Sequence, residues 1–176
     1  MTRHTISVLV ENEFGVLARV AGLFSGRGFN IESLTVNEDP LDPTVSRIVL
    51  VTTGDEQVLE QINKQLNKLV SVIKVADFKD VETIDREMVI VKVSVDERIR
   101  AELDSIVNAF RAHVIDIGPR AIAVEVTGDS EKIRAFIAIL RPLGIKEVVR
   151  SGKVAMARTV QPNTENHGAA RSRNSD

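Results

Sequence analysis

The chain has 176 residues, 43% hydrophobic and 27% charged, the proportions of a globular protein with room for one large domain or two small ones. A net charge of -2 and a pI near 6.0 give no reason to expect a polyanionic partner. The absence of cysteine excludes disulfides, thiolate metal sites and thiol nucleophiles, which suits a cytoplasmic protein. No apolar run reaches the roughly 20 residues that span a bilayer, and the N-terminus runs straight into a strand pattern, leaving no room for a signal peptide. With six Phe, no Trp and no Tyr, the core must be built from Val, Ile, Leu and Ala.

Thr5 to Val10 is a β-branched run that predicts a strand. Gly15 opens a helical pattern with Val16, Val20 and Phe24 on one stripe beside Leu17 and Ala21, ended by Gly26-Arg27-Gly28. Phe29 to Val36 predicts a second strand and Val45 to Thr52 a third, with a loop rich in Asp and Pro between them. A helix capped by Thr53 or Asp55 carries Val58, Leu59, Ile62, Leu66 and Leu69, and Val72 to Phe78 closes the unit. The order is βαββαβ, a ferredoxin-like plan.

The remainder repeats it. Met88 to Val95 predicts a strand and Asp96 to Phe110 a helix, followed by a hairpin through Gly118-Pro119. A helix capped at Asp129 carries Ile133, Phe136, Ile137 and Leu140, and Ile145 to Arg150 is the closing strand. Gly54-Asp55-Glu56 and Gly128-Asp129-Ser130-Glu131 occupy the same place in each copy. The fold expected is α+β, two tandem ferredoxin-like domains with antiparallel sheets. The first covers 1–79 and the second 88–158, joined by a polar linker over 80–87. Residues 159–176 lack the apolar content to offset ordering entropy and read as a disordered tail.

No catalytic machinery is visible. His4, His113 and His167 are scattered along the plan, so no metal site is expected. No Walker A, dinucleotide or nucleophile-elbow motif occurs. Gly22 to Gly28 is glycine-rich but ends a helix, whereas phosphate loops need their amides at a helix start. Glu56, Glu60, Lys64 and Lys68 are spaced as a solvated helix face.

The turn Glu11-Asn12-Glu13-Phe14-Gly15-Val16-Leu17 is different. A helix start carries unpaired N–H groups and the positive end of the macrodipole, so a small carboxylate can bind there if no side chain blocks it. Gly15 removes that obstruction, and Asn12 offers a donor and an acceptor. An amino acid needs this combination. The same spacing also suits a plain turn in which Asn12 caps the helix and Gly15 relieves strain.

Asn12-Glu-Phe-Gly15-Val-Leu17, followed by Arg27-Gly-Phe-Asn30-Ile-Glu-Ser-Leu34-Thr-Val, resembles an ACT domain. Together with Gly54-Asp-Glu, Gln65-Leu-Asn-Lys-Leu69, Asp85-Arg-Glu and Arg150-Ser-Gly-Lys-Val-Ala-Met-Ala-Arg158, it resembles the acetolactate synthase small-subunit family over residues 3–158. The resemblance implies a regulatory, non-catalytic chain that activates a large catalytic subunit and confers feedback inhibition by valine. It implies a homodimer through ACT domains. Valine or a related branched-chain amino acid would lie at that interface, between Asn12, Gly15, Val16 and Leu17 of one chain and Asn30 and Ile31 of the other. Thiamine diphosphate, Mg2+ and FAD are expected on the catalytic partner and no cofactor on this chain. The second copy has Val95-Asp-Glu-Arg-Ile-Arg100 at the equivalent turn, with neither glycine nor asparagine, so one effector site per chain is expected. The second domain would then serve contact with the catalytic subunit. The alternative is a stand-alone ACT-domain sensor for another enzyme or a transcription system. RNA binding is disfavoured because the central strands, Ser-Val-Leu-Val and Arg-Ile-Val-Leu-Val, lack stacking aromatics. Neither a nucleic acid nor a membrane is expected as a partner.

Overall fold

The computed structural model describes residues 2–79 and 81–159. Strand β1 (Thr2–Glu11) buries Ile6, Val8 and Val10 on one face, as the period of two requires. Helix α1 (Val16–Ser25) lays Val16, Val20, Leu23 and Phe24 over them. Strands β2 (Ile31–Glu38) and β3 (Val45–Gly54) form a hairpin, and α2 (Glu56–Leu66) adds Leu59, Ile62 and Leu66 to the same core. Strand β4 (Val72–Asp77) completes an antiparallel sheet in the order β2-β3-β1-β4. The chain reverses after α1 at Gly28, where φ is +70°, and Phe29 returns its N–H to the Phe24 carbonyl.

The plan then recurs with β5 (Thr83–Ser94), α3 (Glu97–Phe110), β6 (His113–Ile117), β7 (Ala121–Gly128), α4 (Ser130–Leu140) and β8 (Ile145–Arg150). The order β6-β7-β5-β8 matches the first sheet position by position. A separate core gathers Val89, Val91, Val93, Val124, Val126, Leu103, Ile133, Phe136 and Leu140. The chain is therefore two tandem ferredoxin-like domains. The repeated Gly-Asp step has one job in both: Asp55 caps α2 through the Val58 N–H, and Asp129 caps α4 through the Lys132 N–H. A Cβ on the preceding glycine would stand 2.6 Å from Val58 or 2.5 Å from Lys132.

One expectation needs correction. Residues 83–87, expected as linker, form the start of β5, because Thr83 to Arg86 pair with a ninth strand, β9 (Val154–Ala157). That partner lies far along the chain, so no local pattern announces it. The expected tail lies outside the described residues apart from Thr159. No described helix is long and apolar enough to cross a membrane.

The β5–β9 ribbon and the segment before it lie against the first domain. Val49 and Val51 alternate with the core residues of β3 and so face away from the helices, yet they are 4% and 1% exposed. The Thr35 hydroxyl donates to the Lys153 carbonyl at 2.9 Å, and the Lys153 N–H donates to Ser33 Oγ at 3.3 Å. Gly152 makes this approach possible. Its φ is +82°, and a Cβ there would stand 2.7 Å from Thr35 Oγ1. Gly152→Ala is expected to cost about 1–3 kcal/mol through strain and overpacking. A lowered urea midpoint at unchanged slope would register it.

Candidate functional site

The turn between β1 and α1 is fastened on two sides. On one, the Asn12 N–H donates to the Thr44 carbonyl at 2.8 Å, and its side-chain amide donates to the Pro43 carbonyl at 3.0 Å and to Glu38 Oε2 at 3.2 Å. On the other, the Glu11 N–H donates to the Ser71 carbonyl at 2.9 Å, and Arg19 reaches both Ser71 Oγ and the Phe14 carbonyl. Phe14 itself projects fully into solvent.

Asn12 therefore does not cap α1, and both amide hydrogens expected for a ligand are used within the chain. Its Oδ1 remains as an acceptor. Gly15 occupies the N-cap with φ 80° and ψ -2°, a left-handed conformation, and no side chain bonds the helix start. The N–H groups of Gly15, Leu17 and Ala18 find no backbone acceptor among the described residues. Each other described α-helix differs. Asp55, Asp96 and Asp129 accept from the first N–H groups of α2, α3 and α4. At the equivalent turn of the second domain, the Asp96 carboxylate accepts from the Arg98 and Ile99 N–H groups at 2.9 and 2.8 Å.

Of the remaining residues, Val16 is buried in the core and Leu17 is 42% exposed beside the turn. Asn30 and Ile31 lie at the far end of α1. The Asn30 carbonyl accepts from the Thr52 hydroxyl at 2.7 Å, while its side chain is exposed. Ten residues of helix separate the ends by about 15 Å. The structure thus brings Asn12, Gly15, Val16 and Leu17 together and holds Asn30 and Ile31 apart from them within one chain. Next to Ile31, Glu32 accepts from Thr53 and pairs with Arg3 at 2.7 Å. The Thr53 hydrogen bond, aided by the Arg3 charge, holds the Glu32 carboxyl below the usual carboxylate range.

Residues 6–74 match the family model for the AHAS small subunit-like ACT domain, and residues 86–159 match that for the small subunit of acetolactate synthase. A probable acetolactate synthase small subunit from Methanothermobacter thermautotrophicus is 53% identical over 88% of this chain and 92% of its own length. The chain belongs to the family of acetolactate synthase small subunits. An acetolactate synthase small subunit from Mycobacterium bovis is 47% identical over 88% of this chain and 92% of its own. The crystal structure of the Thermotoga maritima small subunit superimposes with a TM-score of 0.82 at 40% identity, over 92% of this chain and all of that one. The family's small subunits are regulatory chains, and the first domain here is an ACT domain.

Three residues at the turn escaped the reading of the small subunit's sequence. Glu38 and Ser71 lie far from the turn along the chain, and nothing local marks them. Arg19 was accessible: it stands four residues after Gly15, one helical turn on and on the same face.

Proposed function

We propose that this small subunit activates an acetolactate synthase catalytic subunit and imposes feedback inhibition by valine bound between two ACT domains. The observation that carries the effector site is the open start of α1, where unpaired N–H groups and the helix dipole await a carboxylate. The separation of its two halves supports a shared site. Strand β2 is an edge, paired only with β3, and presents half-exposed Leu34 and Val36. Antiparallel pairing of two β2 edges sets the start of one strand beside the end of the other. Because Asn12 contacts Glu38 at the end of β2, Asn30 and Ile31 of a second chain arrive next to the turn. A two-fold interface then makes two identical sites.

Leu17 and Ile31 form the apolar wall against a branched side chain. Such a wall discriminates weakly, by about 1–3 kcal/mol per methylene, so leucine and isoleucine also bind. Thiamine diphosphate, Mg2+ and FAD belong to the catalytic partner, and this chain performs no chemistry. The second domain makes the contact with that partner. Its β6 edge exposes Val114, Ile115 and Ile117.

Calorimetry of the isolated chain with valine, leucine and isoleucine tests the effector, with one site per chain expected. Silence with all three sinks the reading. Co-purification of a large thiamine-dependent subunit separates it from a stand-alone sensor.

A further inference from the structure

Arg19 stands one turn beyond Gly15, and its planar fork is used twice. Nη1 donates to Ser71 Oγ at 3.0 Å and Nη2 to the Phe14 carbonyl at 3.3 Å. The anchor is firm, since Ser71 is 4% exposed and its own carbonyl is tied to the Glu11 N–H of β1. The Phe14–Gly15 peptide is trans, like every described peptide. In a trans peptide the N–H points opposite to the C=O. Fastening the Phe14 carbonyl toward Arg19 therefore turns the Gly15 N–H away from the helix flank, toward the open side of the turn. Glycine at φ 80° offers little resistance of its own to rotation of that peptide. The guanidinium also borders the cradle: a Cβ on Gly15 would lie 3.8 Å from Nη2 and 4.0 Å from Nε. Two of its five N–H groups are used, so hydrogens remain to face an anion.

We infer that Arg19 is the positioning residue of the effector site. It fixes the Phe14–Gly15 peptide so that the Gly15 amide meets the ligand carboxylate, and it places its own charge at the edge of the cradle. Ser71 holds the fork in place. This role rests on the turn being the amino-acid site proposed above.

The test is calorimetric titration of the full-length chain with valine, alongside melting temperature and dimer size. Arg19→Gln is expected to weaken valine at least about tenfold while the dimer and melting point hold. Arg19→Lys keeps the charge but cannot span both acceptors in one plane, and it is expected to lose nearly as much. Ser71→Ala is expected to lose several-fold, and the Arg19→Gln/Ser71→Ala double variant to bind no worse than Arg19→Gln alone. Full additivity of the two losses overturns the bridge. Valine binding within twofold of wild type in Arg19→Gln overturns the role outright, as does a loss that merely follows a lower melting point or dissociation. No binding of any branched-chain amino acid by the wild-type chain overturns the effector reading itself, and this role with it.

Discussion

A Gly15→Asp chain is expected to fold, to activate its catalytic partner and to bind no valine. The cradle of α1 has an empty first turn, and the Cβ that aspartate introduces meets nothing closer than the Arg19 guanidinium at 3.8 Å. The new carboxylate therefore lies beside Arg19 and the unpaired N–H groups, the place proposed for the effector's own carboxylate. The chain would supply an intramolecular ligand at an effective concentration no free amino acid matches. The second domain shows a carboxylate at such a helix start, since Asp96, there in extended backbone, caps the first turn of α3. Backbone strain opposes the change: φ of 80° costs an L-residue about 1–2 kcal/mol, with aspartate among the more tolerant. For a domain pair of this size the melting temperature should fall by roughly 2–8 °C. Gly15→Ala carries the strain without the carboxylate, so it should bind valine more weakly yet measurably. If Gly15→Asp retains inhibition by valine in the reconstituted enzyme, the turn is not the effector site.

The uncapped start of α1 was legible because it is a property of the backbone. A glycine between a strand and an apolar helical stripe allows an open helix start, which the uncapped start of α1 shows, and the missing glycine in the second copy marks the contrast. The role of Asn12 was not legible. Its amide is consumed by Glu38 and Pro43, which lie 26 and 31 residues away, and no local pattern reports that they close on it. The same limit hid the β5–β9 ribbon. Thr83 to Glu87 reads as polar linker until Val154 to Ala157 returns to pair with it, and only then is its backbone satisfied as a strand. Alternation and capping residues carried the two βαββαβ units, because those signals are contained within each element. Contacts between elements decided the rest.

The ribbon also sets the second large expected effect. Glu87 stands where β5 changes partner: Arg86 is the last residue paired with β9, and Glu87 is the first paired with β7. Its carboxylate is 5% exposed and is held by Arg150 in a bidentate pair, Nε to Oε1 at 2.6 Å and Nη2 to Oε2 at 2.7 Å. Arg150→Met removes that partner and leaves the carboxylate enclosed, which should cost about 2–3 kcal/mol, less than a wholly buried pair because Arg150 is 47% exposed. A fall in melting temperature of roughly 5–10 °C is expected. The double variant Glu87→Met/Arg150→Met should recover part of it, since no charge is then left without a partner. The consequence for regulation follows from position. Ser151 pairs with Met88, and Gly152 and Lys153 then press on Ser33 and Thr35 of β2. Loosening Arg150 therefore frees the one domain from the strand that carries half of the proposed effector site in the other. Valine affinity, on the proposed site at the far turn and the β2 edge, should change little below the new melting point. Activation of the catalytic subunit and its inhibition by valine should both weaken, because a ligand can shift a partner only through contacts that differ between two states. Unchanged inhibition in Arg150→Met, measured with the domains folded, would place the route of coupling elsewhere.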